Sequence, residues 1–234
     1  MRTMLLFAII FQSVVTFGHG VFAEDKPLLE KIEWTDIWVV DANKDDLPRV
    51  LLVGDSIVKG YFDVVEKILV GRASCARYTT SKYLGNPDYL AELKLLLKRY
   101  RFDVIHLNNG LHGWDYTEKQ YGECFSKLLE TIKKHGKGAV VIWATTTPIR
   151  SGEGLAQFGI ETERVKERNR IAGGFMNKHG IPVDDLYGLV AEHPEYYAGD
   201  GTHFNDQGQA AQGKQVAETL SAHLANKTDA GDGQ

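Results

Sequence analysis

The sequence predicts an α/β fold, a three-layer α/β/α sandwich built around a central parallel sheet of five strands. Two observations carry this prediction. After residue 40, short apolar runs of β type alternate with longer segments whose apolar residues recur at helical spacing. The apolar runs are continuous, which is typical of strands covered on both faces, and parallel neighbours of this kind need crossover connections between them.

Five segments are predicted to form the strands of this sheet. Each is short and apolar, and the first stops at a turn that begins with Gly54. In chain order, the predicted strands are 49–53, a weaker segment at 73–79, 102–107, 138–144 and 181–183.

Helix signals fill the intervals between these strands. Asn86 is suited to cap a helix that has Pro87 at its first position, and leucines follow at helical spacing. Thr117 and Gln120 form a capping box ahead of a second helix, which stops at Gly136. Two further helices are predicted over residues 161–179 and 205–224.

The composition is that of a single globular domain. The chain has 234 residues, of which 43% are hydrophobic and 25% charged, so it can bury a sizeable core. The formal net charge of -4 is spread without long runs and offers no cationic stripe for phosphates. We therefore expect no nucleic-acid partner and a small neutral or cationic ligand instead. The sequence leaves the oligomeric state open.

The first 23 residues have the pattern of a secretory signal peptide. Arg2 supplies a short positive region, residues 4–15 are almost entirely apolar, and Val21 and Ala23 are the small residues that precede a cleavage site. An uncleaved membrane anchor is the alternative, but the apolar run is shorter than the roughly 20 residues that a spanning helix needs. The sequence therefore predicts a signal peptide at 1–23, a secreted or periplasmic protein, and no stable membrane insertion.

The remaining boundaries follow from where the alternation of strands and helices begins and ends. Residues 24–46 precede it and contain Trp34 and Trp38, which favours an ordered lead-in packed on the domain. The domain itself is predicted at 47–225. The polar stretch 226–234 is predicted to be a flexible tail.

Three turns carry polar side chains suited to catalysis. Two of these turns follow predicted strands and the third precedes the last helix, and ligands of parallel sheets bind beyond the carboxyl ends of the strands. In the first, Ser56 would lie at a helix N-terminus, where its own N–H could face a developing oxyanion. The second turn, at 108–112, follows the predicted strand 102–107 and reads Asn-Asn-Gly-Leu-His. In the third, Asp200 lies three residues before His203, close enough to orient a histidine that takes the proton of a serine.

Each of these short motifs is weak alone, but their combination in this order is specific. With Val-Gly-Asp-Ser-Ile at 53–57 and Asp-Gly-Thr-His-Phe-Asn at 200–205, the chain resembles the SGNH, or GDSL, hydrolases over roughly residues 47–225. The resemblance implies a flavodoxin-like sandwich and a serine esterase or lipase-type reaction that uses no metal or other cofactor. It also implies that Ser56 is the nucleophile, His203 the general base and acid, and Asp200 the residue that orients it.

The resemblance also implies a set of oxyanion donors. Family members take them from the nucleophile's N–H, from a glycine in a second block and from an asparagine in a third block of the form Gly-x-Asn-Asp. Here the donors would be the Ser56 N–H and Gly85, while the third block reads Gly-Leu-His-Gly and places His112 at the asparagine position. Either the imidazole of His112 or the amide of the nearby Asn109 could donate.

Other residues allow two interpretations each. Trp34, Trp38 and Trp114 could line a substrate pocket by stacking on a sugar or aryl group, although burial in the core explains them equally well. Cys75 and Cys124 could form a disulfide or remain two free thiols.

No metal site is expected. His106 and His112 with Asp103 form the one candidate ligand set, but alternation along a strand turns Asp103 and His106 to opposite faces. We therefore interpret His106 as a core residue.

These observations together predict a secreted serine esterase that hydrolyses small acyl esters, acetyl esters first among them, through an acyl-enzyme. The expected partner is a small ester or an acylated carbohydrate. The irregular third block motivates an alternative, a carbohydrate-binding protein that keeps the SGNH fold without turnover.

Overall fold

Residues 28–231 are described by the computed structural model, with side chains described as far as residue 224. The predicted signal peptide, 1–23, lies outside the described residues. Within them the strands are β1 (Thr35–Val39), β2 (Arg49–Gly54), β3 (Ser74–Thr80), β4 (Val104–Leu107), β5 (Val140–Ala144), β6 (Arg150–Ser151), β7 (Gln157–Phe158) and β8 (Val183–Asp184). The helices are α1 (Ser56–Leu69), α2 (Pro87–Arg99), α3 (Glu118–His135), α4 (Thr162–His179), α5 (Leu186–Ala191) and α6 (Asp206–Gly231).

The main sheet has the order β1-β3-β2-β4-β5-β8, and its last five strands are parallel. Counted along the chain, these five strands lie in the order 2-1-3-4-5, which is the flavodoxin-like arrangement. The predicted fold class is therefore confirmed. The strand order reverses between β2 and β4, and a ligand site is expected beyond the carboxyl ends of those two strands.

The sheet has one strand more than predicted. β1, from the predicted lead-in, pairs antiparallel with β3 and forms the edge of the sheet, with Thr35 opposite Thr80. Its Ile37 and Trp38 side chains are exposed. An edge strand that faces solvent lacks the continuous apolar pattern of a buried strand, which is why the sequence did not reveal it.

The core lies on both faces of the sheet. Along β2, Val50 and Leu52 pack chiefly against α1 and α6, whereas Leu51 and Val53 pack chiefly against α2, α3 and α4. All four side chains are fully buried. Helices on both faces explain why this strand is apolar from Val50 to Val53.

The predicted helix ends agree with the structure in their capping contacts. Asn86 accepts a hydrogen bond from the Asp88 N–H at the start of α2. The Thr117 hydroxyl and the Gln120 side chain form the predicted capping box of α3. α6 continues to Gly231, so the predicted tail at 226–234 overlaps the end of this helix, and its last three residues lie outside the described part. The flexibility of the tail stays a prediction.

The two cysteines are free thiols that lie on opposite sides of the sheet. Cys75, on β3, belongs to the core layer of α1 and α6, and Cys124, on α3, packs against the other layer. Burial raises the pKa of the Cys75 thiol to about 12, which keeps it protonated and unreactive.

Among residues 28–231, no helix combines the length and the apolar content that crossing a bilayer requires.

Candidate active site

Ser56 is placed at the carboxyl edge of the sheet by the sharp turn from β2 into α1. A Cβ at position 54 would lie 2.2 Å from Cγ2 of Val58, so only glycine fits there. The buried Asp55 side chain caps the helix by accepting from the Ile57 N–H at 2.9 Å. Ser56 is thus the first residue of α1, and its N–H belongs to the turn whose N–H groups lack intrahelical partners.

His203 reaches Ser56 from 147 positions further along the chain. Its Nε2 lies 2.9 Å from the Ser56 hydroxyl oxygen, and its Nδ1 lies 2.6 Å from Oδ2 of Asp200. An ionised carboxylate only accepts hydrogen bonds, so Nδ1–H donates to Asp200 and Nε2 accepts from the serine. The structure therefore brings the three side chains predicted for catalysis into one hydrogen-bonded series, called the triad below.

Asp200 is held ionised. Partial burial alone raises its pKa, but the hydrogen bonds from the His203 ring and from the N–H groups of His203 and Thr202 outweigh that effect. The pKa of Asp200 therefore drops to about 2. The two N–H groups donate to Oδ1 at 2.9 Å each, so both carboxylate oxygens have partners.

A short hairpin of β6 and β7 fixes the loop that carries Asp200 and His203. The Gly201 carbonyl accepts from the Arg150 N–H at 2.7 Å. Gly201 has a φ of +70°, and a Cβ there would lie 2.0 Å from the Arg150 carbonyl oxygen. The Arg150 guanidinium is buried and donates to the carbonyls of Leu155 and Ala191. Arg150 was not predicted as a site residue, because a lone arginine after a turn gives no signal of burial.

Asn109 joins the loop after β4 to the loop after β3. Its Oδ1 accepts from the Leu84 N–H, and its Nδ2 donates to the Lys82 carbonyl, both at 3.0 Å. The side chain is buried, and both ends of its amide are engaged. Asn109 thereby anchors the segment that leads into Gly85, where a Cβ would overlap the Tyr83 side chain.

His112 lies beside the turn that carries Ser56. Its Nε2 is 4.0 Å from Oδ2 of Asp55, the residue that precedes Ser56. Its Nδ1 is 3.8 Å from Oε1 of Glu30, in the segment ahead of β1. The ring is 22% exposed, so the position predicted for an oxyanion donor has access to solvent.

Two arginines of α4 hold the loop that carries His112, and neither was predicted as a site residue. Nη1 of Arg168 donates to the carbonyls of Gly110 and His112, and Nη2 donates to that of Gly113, at 2.6–2.9 Å. Arg164 donates to the Trp114 and Tyr116 carbonyls further along this loop.

A signal for Arg168 was present in the sequence. It lies on the apolar stripe of α4 between Val165 and Ala172, at helical spacing, and its side chain is 1% exposed. An arginine on the buried stripe of a helix needs interior partners, and backbone carbonyls supply them here.

The three tryptophans predicted to bind substrate lie in different places. Trp34 immediately precedes β1 and lies at the carboxyl edge of the sheet, where its carbonyl accepts from the Ser81 N–H. Trp114 follows the His112 loop and lies beneath the guanidinium groups of two arginines of α4.

Trp38 is not brought to the triad. It lies opposite Arg77 in the register of β1 and β3, four residues beyond Trp34. At the rise of a β-strand, this places it roughly 14 Å further from the carboxyl edge.

His106 is a core residue, as expected. It is buried in β4, and its Nε2 lies 2.9 Å from Oδ2 of Asp184. Burial opposes ionisation of Asp184, but the hydrogen bonds from His106 and Gln215 outweigh it and lower the pKa of Asp184. Among the described residues, no group of three or more His, Cys, Asp or Glu side chains is arranged to hold a metal ion.

Comparison with solved structures finds the same fold in several bacterial enzymes. An aryl esterase from M. smegmatis matches with a TM-score of 0.63 at 15% identity, covering 75% of this chain and 99% of its own. A carbohydrate acetylesterase family member from Sinorhizobium meliloti matches with a TM-score of 0.60 at 16% identity, covering 76% and 99%. A lipase/acylhydrolase from Enterococcus faecalis matches with a TM-score of 0.58 at 22% identity, covering 75% and 96%.

A search among curated proteins finds no match. The sequence model of the GDSL-like lipase/acylhydrolase family matches residues 52–211, which is more than half of the chain and includes all three triad residues. The chain therefore belongs to the GDSL-like lipase/acylhydrolase family and is a hydrolase of ester bonds.

Proposed function

We propose that this protein is a secreted serine esterase that removes small acyl groups, above all acetyl groups, from a carbohydrate. The observation that carries the proposal is the triad, in which His203 lies 2.9 Å from the Ser56 hydroxyl and 2.6 Å from Asp200. These are the distances that a nucleophile, its base and an orienting carboxylate need for proton transfer. Secretion rests on the pattern of residues 1–23.

The first half of the reaction forms the acyl-enzyme. Oγ of Ser56 attacks the carbonyl carbon of the ester while its proton passes to Nε2 of His203. Asp200, ionised because its pKa is about 2, stabilises the imidazolium that results. When the tetrahedral intermediate collapses, the bond to the alcohol oxygen breaks and the leaving alcohol takes the proton from Nε2.

The second half releases the acid. A water molecule gives a proton to Nε2 of His203 as its oxygen attacks the acyl carbon. The bond to Oγ of Ser56 then breaks, and Oγ takes the proton back from the imidazolium. The products are one alcohol and one carboxylic acid, and the enzyme returns to its starting state.

The oxyanion is assigned to three donors, namely the N–H of Ser56, the N–H of Gly85 and the ring of His112. Asn109 was the alternative to His112, but its amide already bonds to Lys82 and Leu84 at both ends. That arrangement favours His112 as the donor and gives Asn109 the task of anchoring the loop that carries Gly85.

The openness of the triad supports a bulky alcohol with a small acyl group. The side chains of His203 and Asp200 are 48% and 53% exposed, so the leaving-group side faces solvent and can accept a polymer. Trp34 and Trp114, near the carboxyl edge of the sheet, are the proposed stacking surfaces for sugar rings. Trp38 is not included in this proposed substrate site. The fold shared with a carbohydrate acetylesterase family member is consistent with this substrate class.

The test is the Ser56→Ala variant, assayed for hydrolysis of p-nitrophenyl acetate and of acetylated glycans beside acyl esters of graded length. We expect turnover to vanish, because no other group replaces the nucleophile. A fluorophosphonate should label the wild type at Ser56 and leave the variant unlabelled. Full activity in Ser56→Ala would refute the mechanism, and an unlabelled wild type would favour the carbohydrate-binding alternative.

A further inference from the structure

Residues 28–34, called the strap below, run ahead of β1 and contact the loops after both β3 and β4. At one end, the Leu28 N–H donates to the Tyr116 hydroxyl at 2.7 Å. At the other, the Trp34 N–H donates to Oγ of Ser81 at 2.9 Å. The strap therefore bridges the two loops that are assigned to oxyanion stabilisation.

Glu30 makes the central contact of the strap. Its Oε1 accepts from the Gly113 N–H at 2.6 Å, a short charge-assisted hydrogen bond, and lies 3.8 Å from Nδ1 of His112. Gly113 has a φ of +72°, and its carbonyl is bound by Arg168. The peptide groups on both sides of Gly113 are thus held, one by Glu30 and the other by Arg168.

The other side of the His112 ring faces the nucleophile's turn. Oδ2 of Asp55 lies 4.0 Å from Nε2 of His112, is buried, and has no hydrogen-bond partner among the described residues. Asp55 also caps the helix that begins with Ser56. The two ring nitrogens of His112 therefore face one carboxylate from the nucleophile's turn and one from the strap.

We propose that Glu30 is a positioning residue that holds His112 where its ring can donate to the oxyanion. This inference rests on the proposed function and adds Glu30, one residue of the strap, to the active site. Because Glu30 acts through His112 on charge that develops during the reaction, its loss affects kcat rather than KM. A role confined to anchoring the strap would affect stability but would not depend on His112.

A double-mutant cycle separates these two roles. Wild type, Glu30→Ala, His112→Ala and the double variant are compared for kcat and KM with p-nitrophenyl acetate and for the rate of Ser56 labelling by a fluorophosphonate. Since small displacements in an active site can cost about a hundredfold, we expect Glu30→Ala to lower kcat by about ten- to a hundredfold, with KM nearly unchanged. In the His112→Ala background, the same change should cost no more than about twofold, because interacting residues are not additive.

Two further variants sharpen the result. Glu33→Ala removes a carboxylate from the same strap, and that carboxylate contacts Asn86 and the Glu30 N–H but neither Gly113 nor His112. We expect it to keep kcat within about twofold of the wild type. Glu30→Gln retains an oxygen that can accept from Gly113 and should recover most of the activity lost in Glu30→Ala. If Glu30→Ala does not fold, Glu30→Asp enters the same cycle with the same criterion.

The inference is overturned if removing Glu30 leaves kcat unchanged, or if it lowers kcat by the same factor whether or not His112 is present. These outcomes differ from a failure of the proposed function. An active Ser56→Ala variant would remove the mechanism and the role of Glu30 together. An inactive Ser56→Ala variant with an additive cycle would remove only the role of Glu30.

Discussion

The triad and the proposed oxyanion side of the site are built differently, although both depend on loops at the carboxyl edge of one sheet. Asp200 and His203 come from one short loop. Within it, the Asp200 carboxylate also accepts from the N–H groups of Thr202 and His203. The loop of His112 is instead held from outside, by Arg168 on one side and Glu30 on the other. A short motif can therefore specify the geometry of the triad, whereas the position of His112 depends on distant parts of the chain.

Outside the triad itself, the largest effect should follow from disturbing the contact between Gly201 and Arg150 that supports the loop of Asp200 and His203. In Gly201→Ala, a Cβ would lie 2.0 Å from the Arg150 carbonyl oxygen at a φ of +70°, so the loop must shift. A shift of about 1 Å should lower kcat/KM by about a hundredfold. Gly199→Ala is the matched control, since no atom lies within 4 Å of a Cβ there. Equal activity of the two variants would show that the triad does not depend on this support.

On the proposed oxyanion side, we expect a smaller loss of activity than in Gly201→Ala, together with a measurable loss of stability. Arg168→Ala leaves three carbonyls of the His112 loop without their donor and should lower the free energy of unfolding by about 3 kcal/mol. In the folded fraction, kcat should fall by about tenfold. The control is Arg170→Ala, two residues along α4, whose exposed side chain pairs with Glu167.

Urea denaturation and steady-state kinetics on both arginine variants check this prediction. Arg170→Ala should change the free energy of unfolding by less than about 0.5 kcal/mol. If Arg168→Ala were as stable and as active as Arg170→Ala, the His112 loop would hold its shape without α4, and the contrast with the triad would disappear.

The smallest effect concerns the pH dependence of stability. The pKa of Asp200 is about 2 in the folded protein against an ordinary 3.8, so the unfolded state binds the proton more tightly. Asp200 therefore contributes stability that is fully present above about pH 4 and is lost as the pH falls towards 2. The difference in melting temperature between wild type and Asp200→Asn should shrink over this window. A constant difference down to pH 2 would mean that ionised Asp200 is not stabilised by its loop.

Much of the fold could be predicted from the sequence because the inner strands are buried on both faces. Adjacent apolar residues such as Leu51 and Leu52 predict a strand inside a sandwich, and both are buried in the structure. β1 was not predicted, because it lies half-exposed at the edge of the sheet and lacks a continuous apolar run. The hairpin of β6 and β7 escaped because its strands have two residues each, too few for any periodicity to be detected.

The candidate site could be predicted where its residues share a loop or follow a strand. Ser56, Asp200 and His203 satisfied that condition. The backbone partners of Glu30, Asn109 and Arg168 could not be derived, since they depend on which groups face each side chain across the fold. For Arg168 the helical spacing indicated burial but not the carbonyls that it binds. For Asn109 in particular, the sequence suggested a donor to the oxyanion and gave no sign of its bonds to Lys82 and Leu84.

The placement of the two thiols on opposite faces of the sheet has a practical consequence. Cys75 and Cys124 are separated by the sheet itself, and the native fold contains no covalent cross-link between them. The protein therefore needs neither an oxidant nor an isomerase to reach its final covalent form. It should fold to the same state in a reducing host compartment as in an oxidising one, which makes simple recombinant production suitable for all the variants described above.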